Sequence, residues 1–228
     1  MNDTTPRDPA PFAVRWSRPE GERTEHLLVL LHGYGADEDD LFGLVPQLPE
    51  AFTALAVRAP MDLPQGGAAW FPLTQDPATG EIGSDAGAVR AAVEDLHAWL
   101  PGVSGGFRTV SLLGFSQGMA MATSLLRLDP AAYAATVALS GFVVDPLHVE
   151  PELEGLFPAD ETVDAVTPKV FWGRGQEDPI ISAQRVEESH GWLTAHTDLT
   201  KVVYAGLPHA ISPQELGHVR EYLTHVVL

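Results

Sequence analysis

The 228-residue chain contains no cysteine. This absence excludes disulfides, thiolate-bound metals and a cysteine nucleophile, so any chemistry must come from oxygen and nitrogen side chains. Basic residues are also scarce, because 13 lysines and arginines stand against 31 acidic residues and give a formal net charge of -18. A surface of this sign repels polyanions. The composition therefore argues against nucleic acid as a partner and against docking by charge on an anionic membrane.

Long apolar runs are absent as well. No stretch approaches the length of a membrane-spanning helix, and the first residues lack the basic start and apolar centre of a signal peptide. We therefore expect a cytoplasmic protein without stable membrane insertion. With 45% hydrophobic residues, the chain is long enough for one globular domain with a full core. We assign this domain to residues 12–228 and expect residues 1–11 to form a flexible N-terminal arm.

Short apolar segments alternate along the chain with segments of helical periodicity. Strand-like segments lie near residues 12–16, 26–31, 52–58, 108–113, 136–140, 169–172 and 201–204, and helix-like segments near residues 85–100, 117–128, 184–195 and 213–225. Continuous apolar runs are typical of strands buried on both faces of a parallel sheet. Without an internal repeat, this alternation predicts a single-domain α/β fold with a mainly parallel central sheet flanked by helices.

The most informative motif is Gly114-x-Ser116-x-Gly118, which joins a strand-like run to a helix-like segment. In a nucleophile elbow, a sharp turn holds the serine hydroxyl clear of the backbone, and glycines stand where strand and helix approach too closely for a side chain. The helix start also aims the free backbone N–H of Gln117 at a developing oxyanion. The motif alone also occurs as a flexible turn. Its position between strand and helix favours Ser116 as a nucleophile.

Polar residues also follow the last two strand-like runs, at the sheet edge where ligands bind in such folds. Asp178 follows the first of these runs and His209 the second. The order serine, aspartate, histidine is that of the α/β-hydrolase triad. We therefore predict His209 as the general base and Asp178 as the residue that orients its imidazole. Glu177 is an alternative for the carboxylate, and His218 and His225 are alternatives for the base.

A second loop rich in glycine follows the apolar run at residues 26–31. Its sequence is His32-Gly33-Tyr34-Gly35. Two glycines allow a tight turn and a close approach of the backbone to a substrate oxygen. We predict the backbone N–H of Tyr34 as the second oxyanion donor, with an ordinary turn at a strand exit as the alternative.

Residues 61–83 form a long stretch rich in glycine and proline. A connection of this length in a compact domain is usually functional or disordered, and its apolar residues argue against disorder. We expect a loop over the site, and the alternative is a loop anchored to the core. The residues expected to line an apolar pocket are Trp70, Phe71, Leu73, Phe142, Ile180 and Leu207, each of which could equally be core.

The acidic run at residues 37–40 raises the question of a metal site. It lacks the alternating ligand spacing of a calcium loop, and acidic residues are favourable in the first turn of a helix. The sequence therefore predicts a helix start there and no metal site.

The chain resembles the phospholipase/carboxylesterase group of α/β-hydrolases, which includes the acyl-protein thioesterases. The resemblance is carried by Leu31-His-Gly-Tyr-Gly-Ala-Asp37, Trp70-Phe71, Gly114-Phe-Ser-Gln-Gly118, Asp178-Pro179 and Gly206-Leu-Pro-His209. It implies a single-domain serine esterase without a cofactor, acting on carboxylic esters or thioesters and often forming a homodimer. Met119 and Pro208 depart from the group, because glycine is common at both positions. Met119 puts the acyl-chain preference in doubt.

Residues and resemblance together predict a serine carboxylesterase that hydrolyses short to medium-chain carboxylic esters through an acyl-enzyme intermediate. Its partner is then a small-molecule ester. An acyl-protein thioesterase or a lysophospholipase is the alternative within enzymes, because both pass through the same type of intermediate. The alternative from another class is a catalytically inactive binding protein with a hydrolase fold.

Overall fold

The computed structural model describes residues 12–75 and 82–228. The N-terminal arm expected at residues 1–11 lies outside the described residues. The strands are β1 Val14–Trp16, β2 His26–Leu31, β3 Phe52–Val57, β4 Met61–Asp62, β5 Ala68–Ala69, β6 Leu73–Gln75, β7 Ile82–Ser84, β8 Thr109–Phe115, β9 Ala135–Leu139, β10 Lys169–Gly175 and β11 Asp198–Tyr204. The helices are α1 Glu38–Phe42, α2 Ala86–Ser104, α3 Gln117–Leu128, α4 Glu161–Asp164, α5 Ala183–His196 and α6 Pro213–Val227.

A seven-stranded sheet in the order β1-β3-β2-β8-β9-β10-β11 forms the centre of the described part of the chain. The edge strand β1 runs antiparallel to β3, and every other neighbouring pair in this sheet is parallel. The predicted α/β class with a mainly parallel sheet flanked by helices is confirmed. Because the parallel strands end at one edge, the loops that follow β2, β8, β10 and β11 lie near one another.

Alternation along the strands divides the core into two layers. In β2, Leu27, Val29 and Leu31 pack with residues of α2 and α3, whereas Leu28 and Leu30 pack on the opposite face with residues of α1 and α6. Side chains of adjacent strand residues point to opposite faces, so a continuous apolar run covers both layers. Helix α3 lies deepest, because all its residues from 117 to 127 are buried.

The described residues of the segment at 61–83 are more ordered than an irregular loop, and residues 76–81 lie outside the described residues. The described strands form two small antiparallel pairs, β4 with β5 and β6 with β7. Ala68 in β5 also bridges to Ala36 in the loop after β2. The expected loop is therefore corrected to two antiparallel strand pairs in the described residues, of which the first is tied to the loop that carries Tyr34.

The acidic run starts a helix, as its sequence predicts. The side chain of Asp37 caps α1 by accepting a hydrogen bond from the backbone N–H of Asp39 at 3.0 Å.

None of the helices in residues 12–75 and 82–228 has the length and apolar character that a membrane span requires.

Candidate active site

Ser116 occupies the sharp turn between β8 and α3. Its backbone has φ 55° and ψ -117°, a conformation that is strained for a residue with a side chain. The flanking glycines make the turn sterically feasible. A Cβ on Gly114 would lie 2.1 Å from the carbonyl oxygen of Gly118, and a Cβ on Gly118 would lie 1.8 Å from that of Leu31. Any larger residue at either position would push the helix away from the sheet.

The structure brings Ser116, His209 and Asp178 into one hydrogen-bonded chain. Nε2 of His209 lies 2.9 Å from Oγ of Ser116, and Nδ1 lies 2.8 Å from Oδ2 of Asp178. The Asp178 side chain is fully buried, and its Oδ1 accepts from the backbone N–H groups of Ile180 at 2.8 Å and Ile181 at 3.3 Å. A carboxylate held in this way accepts the Nδ1 hydrogen of His209, which leaves Nε2 to accept the hydroxyl hydrogen of Ser116.

The alternative residues do not take part in this hydrogen-bonded chain. Glu177 precedes Asp178 in the sequence, and its side chain is exposed. His218 lies on α6, where its Nδ1 is 3.0 Å from the hydroxyl of Tyr204, and His225 lies in the last turn of the same helix. Only His209 of these histidines is hydrogen-bonded to Ser116 in the described residues.

An open cavity of about 490 Å³ lies beside the serine and histidine. Its volume falls within the range of small-molecule sites. It is lined by Tyr34, Leu73, Ser116, Gln117, Phe142, Pro179, Ile180, Ile181, Ser182, Arg185 and His209. Both residues predicted to supply oxyanion donors and three of the six predicted lining residues therefore border one cavity.

A model of the Phospholipase/Carboxylesterase family matches residues 18–227. The chain belongs to this family. Among related proteins, Acyl-protein thioesterase 1 of Candida albicans is 31% identical to the chain over 117 residues. This match covers 50% of this chain and 48% of that protein. The matched part thus spans about half of the Candida protein.

Two further comparisons cover nearly the whole family domain. Esterase YpfH of Escherichia coli is 23% identical over 212 residues, which cover 89% of this chain and 84% of that protein. The carboxylesterase of Bacillus cereus has the same fold, with a TM-score of 0.74, 21% identity and coverage of 95% of both chains. The family description and the names of these relatives are those of phospholipases, carboxylesterases, an esterase and an acyl-protein thioesterase.

The other three residues that the sequence predicts to line the pocket do not border the cavity. Trp70 is 3% exposed and Phe71 is 1% exposed, and both pack in the core. Leu207 is half-buried in the loop before His209, where its carbonyl oxygen accepts from the backbone N–H of Glu177 at 3.1 Å. The prediction that these three residues line the pocket is therefore corrected. Burying two large rings in the core removes more apolar surface from water than a half-open cavity would.

The side chain of Gln117 has a role that the sequence argument missed. Only the backbone N–H of Gln117 is predicted to act, and no role is predicted for its side chain. In the structure the side chain is 3% exposed, its Oε1 accepts from the backbone N–H of Trp70 at 2.8 Å, and its Nε2 donates to the carbonyl oxygen of Phe71 at 2.7 Å. A polar residue at the start of an apolar, buried helix must find partners, and this was the available signal.

Arg185 is another cavity residue that the sequence argument did not identify. Its guanidinium lies 4.3 Å from the centre of the Phe142 ring, in cation–π contact. It belongs to the first turn of α5, and this helix begins at the sheet edge that carries Asp178. Helices that follow strands in such a fold begin at the edge of the sheet where ligands bind, which is the signal that could have identified Arg185.

No metal centre accompanies the site in the described ranges. Residues 12–75 and 82–228 contain no group of three histidine, cysteine, aspartate or glutamate side chains arranged to hold a metal ion.

Proposed function

We propose that this family member is a serine carboxylesterase that hydrolyses short to medium-chain carboxylic esters through an acyl-enzyme intermediate. The observation that carries the proposal is the continuous hydrogen-bonded chain from Ser116 through His209 to Asp178 at the wall of an apolar cavity. Membership of a family of ester and thioester hydrolases supports the reaction class.

Acylation begins when Oγ of Ser116 attacks the ester carbonyl carbon and Nε2 of His209 takes the hydroxyl proton. Asp178 holds the Nδ1 hydrogen of His209 and stabilises the imidazolium that forms. The backbone N–H groups of Tyr34 and Gln117 bind the negatively charged oxygen of the tetrahedral intermediate. The imidazolium then gives its proton to the departing alcohol, and the acyl group remains on the serine.

Deacylation repeats the same steps with water. Nε2 of His209 takes a proton from a water molecule as this attacks the acyl carbonyl. The tetrahedral intermediate uses the same two N–H groups. It collapses when the proton returns to Oγ of Ser116, which releases the carboxylic acid and restores the free enzyme.

The cavity wall is suited to an acyl chain. Leu73, Phe142, Ile180 and Ile181 supply apolar surface around a volume of about 490 Å³. Met119, whose departure from the family pattern raised doubt about the acyl preference, is fully buried and is not among the cavity residues. The acyl-chain preference is therefore set by the apolar residues of the cavity wall and not by Met119.

The second candidate is an acyl-protein thioesterase. It is favoured by the 31% identity with the Candida protein of that name over half of this chain. A thioester passes through the same acyl-enzyme, so the chemistry of the triad is shared. A lysophospholipase is a further outcome of the same test, and a homodimer remains a prediction that sedimentation of the purified protein tests.

The deciding experiment measures turnover of p-nitrophenyl acetate, butyrate, octanoate and palmitate, together with a lysophospholipid and an S-acylated peptide. We expect the highest kcat/KM on the butyrate or octanoate, and loss of turnover in Ser116→Ala with the fold retained. Preference for the S-acylated peptide or the lysophospholipid would replace the carboxylesterase assignment. Failure of a fluorophosphonate to label Ser116 would leave the inactive binding protein.

A further inference from the structure

A short stretch of chain lies between the two loops that carry the proposed oxyanion donors. This bridging segment, residues 68–71, includes β5 and the two buried aromatic residues that follow it. Because these aromatic residues do not border the cavity, they have no direct role with substrate. Their hydrogen bonds, however, reach both loops.

On one side, the bridging segment is bonded to the loop after β2. The backbone N–H of Gly35 donates to the carbonyl oxygen of Ala68 at 2.9 Å, and the N–H of Ala68 donates to the carbonyl oxygen of Ala36 at 2.8 Å. The indole N–H of Trp70 donates to the carbonyl oxygen of His32 at 2.9 Å. These bonds hold the loop on both sides of Tyr34, which carries one of the two proposed oxyanion donors.

On the other side, the bridging segment is bonded to the nucleophile elbow. The side chain of Gln117 accepts from the backbone N–H of Trp70 and donates to the carbonyl oxygen of Phe71. Trp70 therefore uses its backbone N–H toward one donor loop and its indole N–H toward the other. Trp70 and Gln117 are each 3% exposed, so water does not readily replace these bonds.

His32 fixes the remaining part of the loop. Its Nε2 accepts from the backbone N–H of Ala59 at 3.0 Å, so the ring hydrogen is on Nδ1, which donates to the carbonyl oxygen of Gly33 at 2.8 Å. Burial lowers the pKa of His32 and favours this neutral form. The neutral ring thus holds the peptide that precedes Tyr34.

We propose that Trp70, together with the side chain of Gln117, is a positioning residue that holds the two backbone oxyanion donors at a fixed separation. This inference rests on the proposed function. Donors stabilise an oxyanion most when they are already in place before the charge develops. Trp70 acts through the backbone at His32 and through Gln117, and does not touch the substrate.

The test uses substitutions that remove hydrogen bonds, and its control loses the same side-chain volume as Trp70→Phe. Trp70→Phe deletes the indole N–H, and Gln117→Met deletes both amide bonds but leaves the backbone donor. Trp172→Phe is the matched control, because Trp172 is also fully buried but its indole N–H has no partner among the described residues.

We expect Trp70→Phe and Gln117→Met to lower kcat on p-nitrophenyl butyrate about 10-fold at nearly unchanged KM. The expected loss is smaller than the roughly 100-fold loss on removing a donor outright, because a displaced donor still binds. Affinity for a trifluoromethyl ketone, whose adduct with the serine carries an oxyanion, should fall by a similar factor. Trp172→Phe should leave both quantities within about twofold, since it alters no bond near the site.

The thermal unfolding temperature of each variant shows whether it is folded, so a loss of activity through displaced donors can be told from a loss of activity through unfolding. If Trp70→Phe does not fold, Gln117→Met decides the question. A folded Trp70→Phe with unchanged kcat and ketone affinity would overturn the inference, as would losses equal to those of Trp172→Phe. A wild-type protein without Ser116-dependent turnover would overturn the proposed function itself and the inference with it.

Discussion

Glu215, in the first turn of α6, carries a buried carboxyl group whose titration can be tested. Its side chain is fully buried, and neither carboxyl oxygen has a hydrogen-bond partner of normal geometry among the described residues. Gly173 in β10 makes room for it, since a Cβ there would lie 2.2 Å from Oε1 of Glu215. Burial raises the pKa of Glu215 to about 7, and the nearby backbone N–H of Ser212 offsets this only in part.

The raised pKa makes the protein less stable at high pH. Below the ordinary pKa of 4.5 the group is neutral in both states and costs nothing. As the pH rises from 4.5 to 7, the unfolded chain releases the proton first, so stability is lost across this window and stays lost above it. Two and a half pH units at about 1.4 kcal/mol each give a loss of roughly 3 kcal/mol at pH 8.

Glu215→Gln keeps the shape of the side chain and cannot ionise. We expect it to raise the free energy of unfolding by about 3 kcal/mol at pH 8 and by less than about 1 kcal/mol at pH 5. Urea unfolding of wild type and variant at both pH values measures this difference. Glu221→Gln, on the exposed face of the same helix, is the control and should show little effect. Equal gains at both pH values, or a loss of stability at pH 8, would refute the reasoning.

Three further substitutions test the site and its support. Asp178→Asn should lower kcat on p-nitrophenyl butyrate by about 10⁴-fold with little change in KM, because the Nδ1 hydrogen of His209 loses its carboxylate acceptor; steady-state kinetics measure both, and activity near wild type would exclude Asp178 from the triad. Gly118→Ala should lower the melting temperature or prevent folding, since its methyl group would lie 1.8 Å from a strand carbonyl oxygen. Gly102→Ala in α2, where a Cβ would meet no atom of the described residues within 4 Å, is its control in differential scanning fluorimetry and should not destabilise. Ile180→Asp at the cavity wall should raise KM for the octanoate and leave the acetate nearly unchanged, as an assay of both esters will show.

Local sequence patterns were sufficient to predict the sheet and the turn at Ser116. The apolar strands and their helices have clear periodicities, and the elbow combines a motif with a strand-to-helix transition. Parallel strands then bring the residues after them to one edge, so Ser116, Asp178 and His209 meet without any further information. The chemistry assigned to these three residues remains a prediction.

The bridging segment could not be predicted from the sequence for a physical reason. Strands of two residues, such as β4 and β5, are too short to show any periodicity. Whether an aromatic residue such as Trp70 faces a cavity or the core depends on which distant groups accept hydrogen bonds from its backbone and indole N–H. Those partners, His32 and Gln117, are 38 and 47 residues away along the chain.

The most direct test of the account is to trap the acyl-enzyme. Wild-type protein is mixed with p-nitrophenyl butyrate, quenched with acid during turnover, digested and examined by mass spectrometry. We expect a butyryl group on the peptide that contains Ser116, and no butyryl group and no turnover in Ser116→Ala. Turnover that persists in Ser116→Ala, or a butyryl group on another residue, would contradict a reaction through Ser116.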